Sequence, residues 1–229
     1  MRQLAGVCIL VVGIVLAPGS QKAVAQTDSV STTVNPMIPR MSDIPGQADP
    51  AMVASLKKGG YIIYFRHAST DWGQKDVAGE DFDNRAAQRN LNDAGKVEAA
   101  SIGAAFKALG VPIDTVYANP MLRCRDTAQL AFGKHRVVTD LFHKGAAYRA
   151  RRTEILSTPP TAGMNRVVVG QQDQLIPLIP GLHRDELRES DALVIQPLGA
   201  GKYKVVAQVT LADWARLAAA YPEKGKAAK

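Results

Sequence analysis

The sequence predicts an α/β fold with a mostly parallel sheet. Short apolar segments with strand character alternate along the chain with segments of helical periodicity. The last two apolar segments, Ala192 to Pro197 and Tyr203 to Val209, are separated by a glycine-containing turn at Pro197 to Lys202, which predicts a hairpin. Strands joined through helices run parallel, whereas the two strands of a hairpin run antiparallel. We therefore expect a mostly parallel sheet with an antiparallel edge.

Four further strands are predicted ahead of this hairpin, because each is a short apolar or β-branched run. They are Tyr61 to Phe65, Thr115 to Ala118, Arg136 to Thr139 and Arg166 to Gly170. No internal repeat interrupts the series. About 200 residues of this kind are sufficient for one domain with a sizeable core.

The helices between and after these strands are recognised by their ends. Asn92 is a suitable N-cap, and Ile102, Phe106 and Leu109 recur on one face at helical spacing. Glycine commonly follows the last helical residue, and proline commonly lies just beyond it. The predicted helices run from Asn92 to Gly110, from Leu122 to Phe132 with Gly133 after it, and from Leu211 to Ala220 ahead of Pro222.

The first 25 residues have the features of a signal peptide. Arg2 precedes an apolar run from Leu4 to Ala17, and Ala23-Val24-Ala25 is a small-residue cleavage site. The run is shorter than the roughly 20 residues that a spanning helix needs, which makes an uncleaved anchor the minor alternative. We expect a periplasmic or secreted protein without a stable membrane span after cleavage. Residues 26–50 are predicted to be an exposed lead-in, and residues 51–229 the folded domain.

Charge and cysteine content limit the possible partners and cross-links. The net charge of +7 includes Arg2 and Lys22, and the signal segment has no acidic residue, so the mature chain carries +5. This balance favours anionic ligands, but the basic residues are dispersed, and we expect no nucleic-acid binding. Cys8 lies in the signal segment, so Cys124 has no partner for an intrachain disulfide. We expect Cys124 to be a buried, unreactive thiol.

Polar side chains that suit a phosphate follow three of the predicted strands. Arg66-His67 comes after the first strand, Arg123 after the second, and Gln171 after the strand that ends at Gly170. Ligands of open α/β sheets collect at the carboxyl ends of the strands. Planar arginine binds phosphate oxygens in bidentate fashion, and a histidine nitrogen is a suitable nucleophile. The sequence therefore predicts a phosphoryl site at this edge.

Four segments resemble those of the histidine phosphatase superfamily, which includes phosphoglycerate mutases and acid phosphatases. Tyr64 to Thr70 resembles the signature Arg-His-Gly-x-Thr, with Ala68 in place of glycine. The resemblance extends from about Gly59 to the C-terminus and implies a three-layer α/β/α sandwich. The other three segments are Asn90 to Gly95, similar to Leu-x-x-x-Gly; Asn119 to Ala128, similar to Ser-Pro-Leu-x-Arg-x-x-x-Thr-Ala; and Val167 to Gln171, similar to a strand that ends in Gly-His.

The resemblance implies a role for each matching residue. His67 would be the nucleophile that becomes phosphorylated, while Arg66 and Arg123 bind the phosphate. Thr70 is either a phosphate ligand or a turn-forming hydroxyl. Gln171 replaces the second histidine of the family, and a neutral amide in place of a charged donor would lower the rate about five- to thirtyfold. The resemblance implies no metal and no other cofactor, and the sequence contains no cluster of metal ligands.

The general acid is less well specified. Asp71 is our candidate, although its carboxylate has the simpler role of capping a turn. His183 is the candidate to substitute for the missing histidine. Arginines in two regions either line an anionic channel or are solvated, and we favour the second interpretation. The other candidates for the acid are Asp76, Glu80, Asp81, Asp83 and Glu154, and the arginines are Arg85, Arg89, Arg149, Arg151 and Arg152.

Two functions remain in competition at this stage. The first is an exported, metal-independent phosphomonoester hydrolase that works through a phosphohistidine at His67 and is slowed by Gln171. The second is a non-catalytic protein, a pseudophosphatase, that binds a phosphorylated ligand on the same fold. A mutase is less expected, because nothing in the chain identifies a sugar-acid pocket. The partner in each case is a phosphorylated small molecule or another phosphomonoester.

Overall fold

The computed structural model describes residues 48–77 and 79–222. The predicted signal peptide and most of the predicted lead-in lie outside this range. The strands in the described part are β1 Ile62–Arg66, β2 Ile113–Ala118, β3 Arg136–Val137, β4 Asn165–Gly170, β5 Ala192–Gly199 and β6 Lys202–Val209. The helices there are α1 Pro50–Lys58, α2 Asp93–Leu109, α3 Leu122–Phe132, α4 Ala146–Ser157, α5 Gln172–Leu175 and α6 Leu211–Ala220.

These strands form one mixed sheet in the order β3-β2-β4-β1-β5-β6. The pairs β2–β3, β2–β4 and β1–β4 are parallel, whereas β1–β5 and β5–β6 are antiparallel. The predicted parallel sheet with an antiparallel edge is confirmed. The hairpin between β5 and β6 turns through Gly199, Ala200 and Gly201, all with positive φ, where glycine has no Cβ to clash.

Helices cover both faces of the sheet, which confirms the three-layer α/β/α arrangement. Successive residues of β1 point to opposite faces: Ile63 and Phe65 belong to one apolar cluster, and Ile62 and Tyr64 to another. The first cluster includes residues of α1, α2, α3 and α6. The second includes residues of α4 and α5. No helix of the described residues is long and apolar enough to cross a membrane.

The predicted helix ends are confirmed by their local geometry. The Asn92 side chain accepts a hydrogen bond from the Gly95 N–H at 2.7 Å, so it is the N-cap of α2. Gly110 and Gly133 end α2 and α3 in the left-handed conformation, with φ of 65° and 68°. Thr210 and Asp213 form a reciprocal capping box at the start of α6.

The structure differs from the predictions in three places. Ala48 is buried and Asp49 caps α1, so the folded part begins before the predicted limit at residue 51. The strand predicted to reach Thr139 ends at Val137, because Thr139–Leu141 form a 3-10 turn. Helices α1 and α5 were not predicted from the sequence. Cys124 is fully buried as predicted, and burial raises the pKa of its thiol to about 12.

Candidate active site

The predicted site lies where β1 and β4 end side by side. Arg66 of β1 is paired in register with Gly170 of β4, and the His67 N–H donates to the Gly170 carbonyl at 3.0 Å. This parallel pairing brings Arg66, His67 and Gln171 together at one edge of the sheet. They share a cavity of about 250 Å³. Six of the residues that line it are Arg66, His67, Trp72, Arg89, Gln171 and Gln172.

The His67 ring is held in one tautomer. Its Nδ1 lies 2.9 Å from the carbonyl oxygen of Ala68. A carbonyl oxygen only accepts hydrogen bonds, so Nδ1 carries the hydrogen and Nε2 has a free lone pair in the neutral ring. His67 lines the cavity, and Nε2 is the ring nitrogen that remains unprotonated.

The surroundings of His67 also keep the ring neutral. Burial is the main factor that lowers its pKa well below the usual value of 6.5, and the positive charge of Arg123 is the second. The hydrogen bond to Ala68 acts in the opposite direction, while Arg66 and Arg89 lower the pKa further. At neutral pH the imidazole is therefore unprotonated and nucleophilic.

Arg66, Arg89 and Arg184 line the cavity, and the first two also lower the pKa of the His67 ring. Arg66 donates from Nη1 to the side chain of Gln172 at 3.0 Å and to the Leu187 carbonyl at 2.8 Å. Arg89 donates to the Thr70 hydroxyl at 2.8 Å, and its guanidinium carbon lies 3.9 Å from the Trp72 ring centroid. Both side chains are thus held in place before any phosphate binds.

Arg123 lies close to His67 but is paired with a carboxylate. Its side chain is 4% exposed, and Nη1 donates to Oδ1 of Asp76 at 2.9 Å. Thr127 connects the two segments, since its hydroxyl accepts from the Ala68 N–H at 3.0 Å and donates to the Arg123 carbonyl at 2.7 Å. Arg123 does not line the cavity in this conformation, so a phosphate that contacts it has to compete with Asp76.

The comparisons with known proteins agree with this geometry. Residues 62–142, which include Arg66, His67 and Arg123, match the model of the histidine phosphatase superfamily, branch 1. This match confirms the predicted resemblance to the histidine phosphatase superfamily over that segment of the chain. No curated protein sequence gives a significant match to the chain.

Several solved structures are similar to the chain at low sequence identity. The protein histidine phosphatase SixA, complexed with tungstate, has a TM-score of 0.50 at 16% identity, and the match covers 67% of this chain and 98% of that chain. The putative phosphohistidine phosphatase SixA from Agrobacterium tumefaciens has a TM-score of 0.46 at 18% identity, with 66% and 98% covered. A mutant phosphoserine phosphatase from Entamoeba histolytica, in complex with phosphoserine, has a TM-score of 0.47 at 13% identity, with 67% and 98% covered.

In the structure, Gln171 is positioned by a tyrosine of the neighbouring strand. The hydroxyl of the buried Tyr64 donates to the Gln171 carbonyl at 3.1 Å. A Cβ at Gly170 would lie 2.0 Å from that hydroxyl, so this position requires glycine. The Gln171 side-chain nitrogen lies 3.5 Å from Asn119 Oδ1, at the limit of a hydrogen bond. A neutral amide therefore lines the cavity as a donor.

Thr70 and Asp71 are not among the residues that line this cavity. Thr70 is buried, and its hydroxyl donates to Glu189 at 2.9 Å while accepting from Arg89. It therefore reaches the phosphate site only through Arg89. The Asp71 carboxylate accepts the Gly73 N–H at 2.9 Å and so caps the turn. This is the simpler of the two roles that the sequence allows for Asp71. The acid role of Asp71 would need this turn to open.

The remaining predicted site residues differ in whether they line the cavity. Asp173 and Asp185 are the carboxylates that line the cavity in the described part of the chain. Glu154 forms an ion pair with Arg151 on α4 and does not line the cavity. The exposed His183 does not line it either.

The predicted arginines lie in different surroundings. Arg89 lines the cavity, contrary to the favoured interpretation. Arg85 pairs with Asp126, and Arg152 donates to the carbonyls of Asp140 and His143.

Six residues at or near the site were not predicted from the sequence to belong to it. Trp72, Gln172, Asp173, Arg184 and Asp185 line the cavity, and Glu189 contacts Thr70 behind it. Gln172 is the second residue after a predicted strand, which was an available signal. Glu189 precedes β5, and only the pairing of β5 with β1 places it near His67.

Proposed function

We propose that this protein is a phosphomonoester hydrolase that forms a phosphohistidine at His67. The observation that carries the proposal is the tautomer of His67. With Nδ1 bonded to the Ala68 carbonyl, the free lone pair belongs to Nε2, in a cavity that arginines also line. An unprotonated nitrogen beside guanidinium groups is the arrangement that phosphoryl transfer to histidine requires.

The reaction would proceed in two displacements at phosphorus. The Nε2 lone pair forms a bond to phosphorus, the bond to the ester oxygen breaks, and its electron pair leaves with that oxygen, which takes up a proton. The phosphorylated His67 ring keeps its Nδ1 hydrogen and becomes positively charged. Water then attacks phosphorus and loses a proton, the bond to Nε2 breaks with its electrons returning to the ring, and inorganic phosphate is released. Covalent catalysis divides one difficult step into two easier ones.

The arginines would supply most of the electrostatic stabilisation. Arg66 and Arg89 line the cavity in fixed orientations, so they offset the charge of the transferring phosphoryl oxygens without rearrangement. Arg123 would join them once a phosphate oxygen replaces Asp76 as its partner. Asp71 remains a predicted acid, and we expect esters with good leaving groups, such as aryl phosphates, to react fastest because they need little protonation.

A binding function without turnover is the second candidate, and Gln171 is the observation that favours it. The amide lines the cavity but carries no positive charge and transfers no proton. A protein that retains the arginines and lacks this one donor would still bind a phosphorylated ligand.

The substitution Gln171→His tests the proposed function. We expect the wild type to hydrolyse an aryl phosphate slowly, and the variant to be about five- to thirtyfold faster, because a charged donor replaces a neutral one. Initial rates of both proteins over a range of substrate concentrations would measure the effect.

Gln129→His is the matched control, since Gln129 is exposed on α3 and donates to the Gly133 carbonyl. Its rate should equal that of the wild type. A wild type that binds phosphate with no detectable turnover would favour the binding function. Equal rates for Gln171→His and the wild type would show that Gln171 does not occupy the position of the second histidine.

We also propose that the protein is exported after removal of residues 1–25. The support is the sequence alone, since this segment lies outside the described residues. Expression of the full chain in a bacterial host should give a periplasmic or secreted product whose mass corresponds to a start near Gln26. A product that retains Met1 and sediments with the membrane would support an uncleaved anchor instead.

A further inference from the structure

The segment Glu189-Ser190-Asp191 lies against the loop that carries His67. It directly precedes β5, and because β5 runs antiparallel to β1, the start of β5 lies at the end of β1. The Arg66 N–H donates to the Asp191 carbonyl at 3.0 Å, and the Ser190 N–H donates to the His67 carbonyl at 3.0 Å. The backbone that directly follows Glu189 is therefore fixed to the predicted nucleophile loop.

The Glu189 carboxylate is held among donors and cations. It accepts the Thr70 N–H at 3.2 Å with Oε2 and the Thr70 hydroxyl at 2.9 Å with Oε1. Oε1 also lies 3.6 Å from Nη1 of Arg89 and 3.7 Å from Nη2 of Arg66. The side chain is 14% exposed, so water screens these charges only partly.

Glu189 lies behind the phosphate cavity and does not line it. Arg66, His67 and Arg89 all line the cavity. Oε1 of Glu189 is 4.0 Å from Nδ1 of His67, the ring nitrogen that is bonded to the Ala68 carbonyl. The carboxylate is therefore close to the hydrogen-bonded nitrogen of the ring without lining the cavity that a phosphate would enter.

We propose that Glu189 is a positioning residue that balances the charge of the site from behind His67. The inference depends on the proposed function, because it concerns the charge that forms when Nε2 is phosphorylated. At that stage the ring becomes cationic, and a carboxylate 4.0 Å from Nδ1 stabilises it. The same carboxylate lowers the net positive charge that a free phosphate meets. Glu189 thus favours the phosphorylated ring while weakening the initial binding of phosphate.

Loss of the Glu189 charge would leave the arginines in place. Arg66 retains its hydrogen bonds to Gln172 and Leu187, and Arg89 retains its contact with Trp72. Changes in Glu189→Gln would accordingly report the missing charge and not a displaced guanidinium group.

The test compares Glu189→Gln with the wild type in turnover and in phosphate binding. We expect kcat for an aryl phosphate to fall about tenfold, and the inhibition constant of inorganic phosphate to fall about threefold, which means tighter binding. Glu189→Asp, which keeps the charge, should bind phosphate like the wild type. Glu186→Gln is the matched control, because Glu186 lies in the same segment and accepts the His183 N–H. It should leave both constants unchanged.

Other combinations of the two constants would overturn the inference. Slower turnover with weaker phosphate binding would indicate a purely structural role for Glu189. Faster turnover with tighter binding would indicate that the carboxylate obstructs the site. Urea unfolding of each variant would identify any loss of folded protein.

A wild type without turnover would still allow the inference to be judged. Titration calorimetry with inorganic phosphate then replaces the kinetic assay. Tighter binding by Glu189→Gln than by the wild type would support the charge-balancing role, although the proposed hydrolase function would have failed. Equal or weaker binding would overturn the role of Glu189 as well.

Discussion

Replacing His67 with alanine is expected to lower the rate of phosphomonoester hydrolysis by at least about a thousandfold. The substitution removes the atom that would form the bond to phosphorus, and the described neighbours offer no second histidine in the cavity. The guanidinium groups remain, so phosphate should still bind. The expected signature is therefore a collapse of kcat with a much smaller change in the affinity for inorganic phosphate.

Initial rates and a covalent trap would measure this effect. Brief incubation with a radiolabelled phosphoester, followed by denaturation at alkaline pH, should leave label on the wild type and none on His67→Ala. His143→Ala is the control, since His143 pairs with Glu80 and does not line the cavity. Label on His67→Ala, or turnover equal to that of the wild type, would exclude His67 as the nucleophile. His67→Gln provides a second variant of similar size if the alanine variant folds poorly.

The pKa of His67 determines how kcat/KM and stability depend on pH. The active ring is unprotonated, and its pKa lies well below 6.5, so acidification reduces kcat/KM only when the pH approaches that lowered value. Protonation also opposes folding, because the unfolded ring binds a proton at higher pH than the folded ring. Stability from this group is complete above pH 6.5 and decreases as the pH falls toward the pKa of the folded state.

Replacing Arg123 with alanine is the second large expected effect, a loss of about a hundredfold or more in kcat/KM. Arg123 is nearly buried, and its charge is the second largest cause of the lowered His67 pKa, so it lies close enough to act on a phosphoryl group at that ring. Arg123→Lys should recover only part of the loss, because an ammonium group lacks the planar fork of donors that binds two phosphate oxygens. Steady-state kinetics with an aryl phosphate would measure both variants.

Arg125→Ala is the matched control for this experiment. Arg125 lies on the same helix, two residues further on, and pairs with Asp83 at 2.7 Å. Its loss should leave kcat/KM unchanged. A value for Arg123→Ala within about threefold of the wild type would mean that Arg123 only anchors Asp76 and the loop that carries it.

Local patterns were sufficient for much of the fold and for part of the site. Asn92 and Gly110 are read as helix ends because capping depends on the residue itself and its near neighbours. Arg66 and His67 were identified because they follow an apolar strand within one short motif. The sequence predicts a solvated Arg89, because the segment around it is polar. In the structure, contacts with Trp72 and Thr70 hold its side chain at the cavity.

Thr70 and Asp71 show the limit of motif reasoning, because the sequence left two possible roles open for each residue. Both lie within four residues of His67, and proximity in sequence suggested contact with the substrate. In the structure the Thr70 hydroxyl is bonded to Glu189, and the Asp71 carboxylate caps its own turn. These contacts depend on side-chain directions and on a partner more than a hundred residues away, neither of which a motif specifies.

The α/β class, the resemblance to the superfamily and the pair Arg66-His67 could be predicted from the sequence, because strand periodicity, helix caps and a short motif are local properties. The groups that surround that pair depend on how the strands are arranged in the folded chain. The parallel pairing of β1 with β4 brings Gln171 to the cavity, and the antiparallel pairing of β1 with β5 brings Glu189 behind the ring. The tautomer and the low pKa of His67 likewise follow from burial and from charges that distant segments supply, and such properties arise only when the chain is folded.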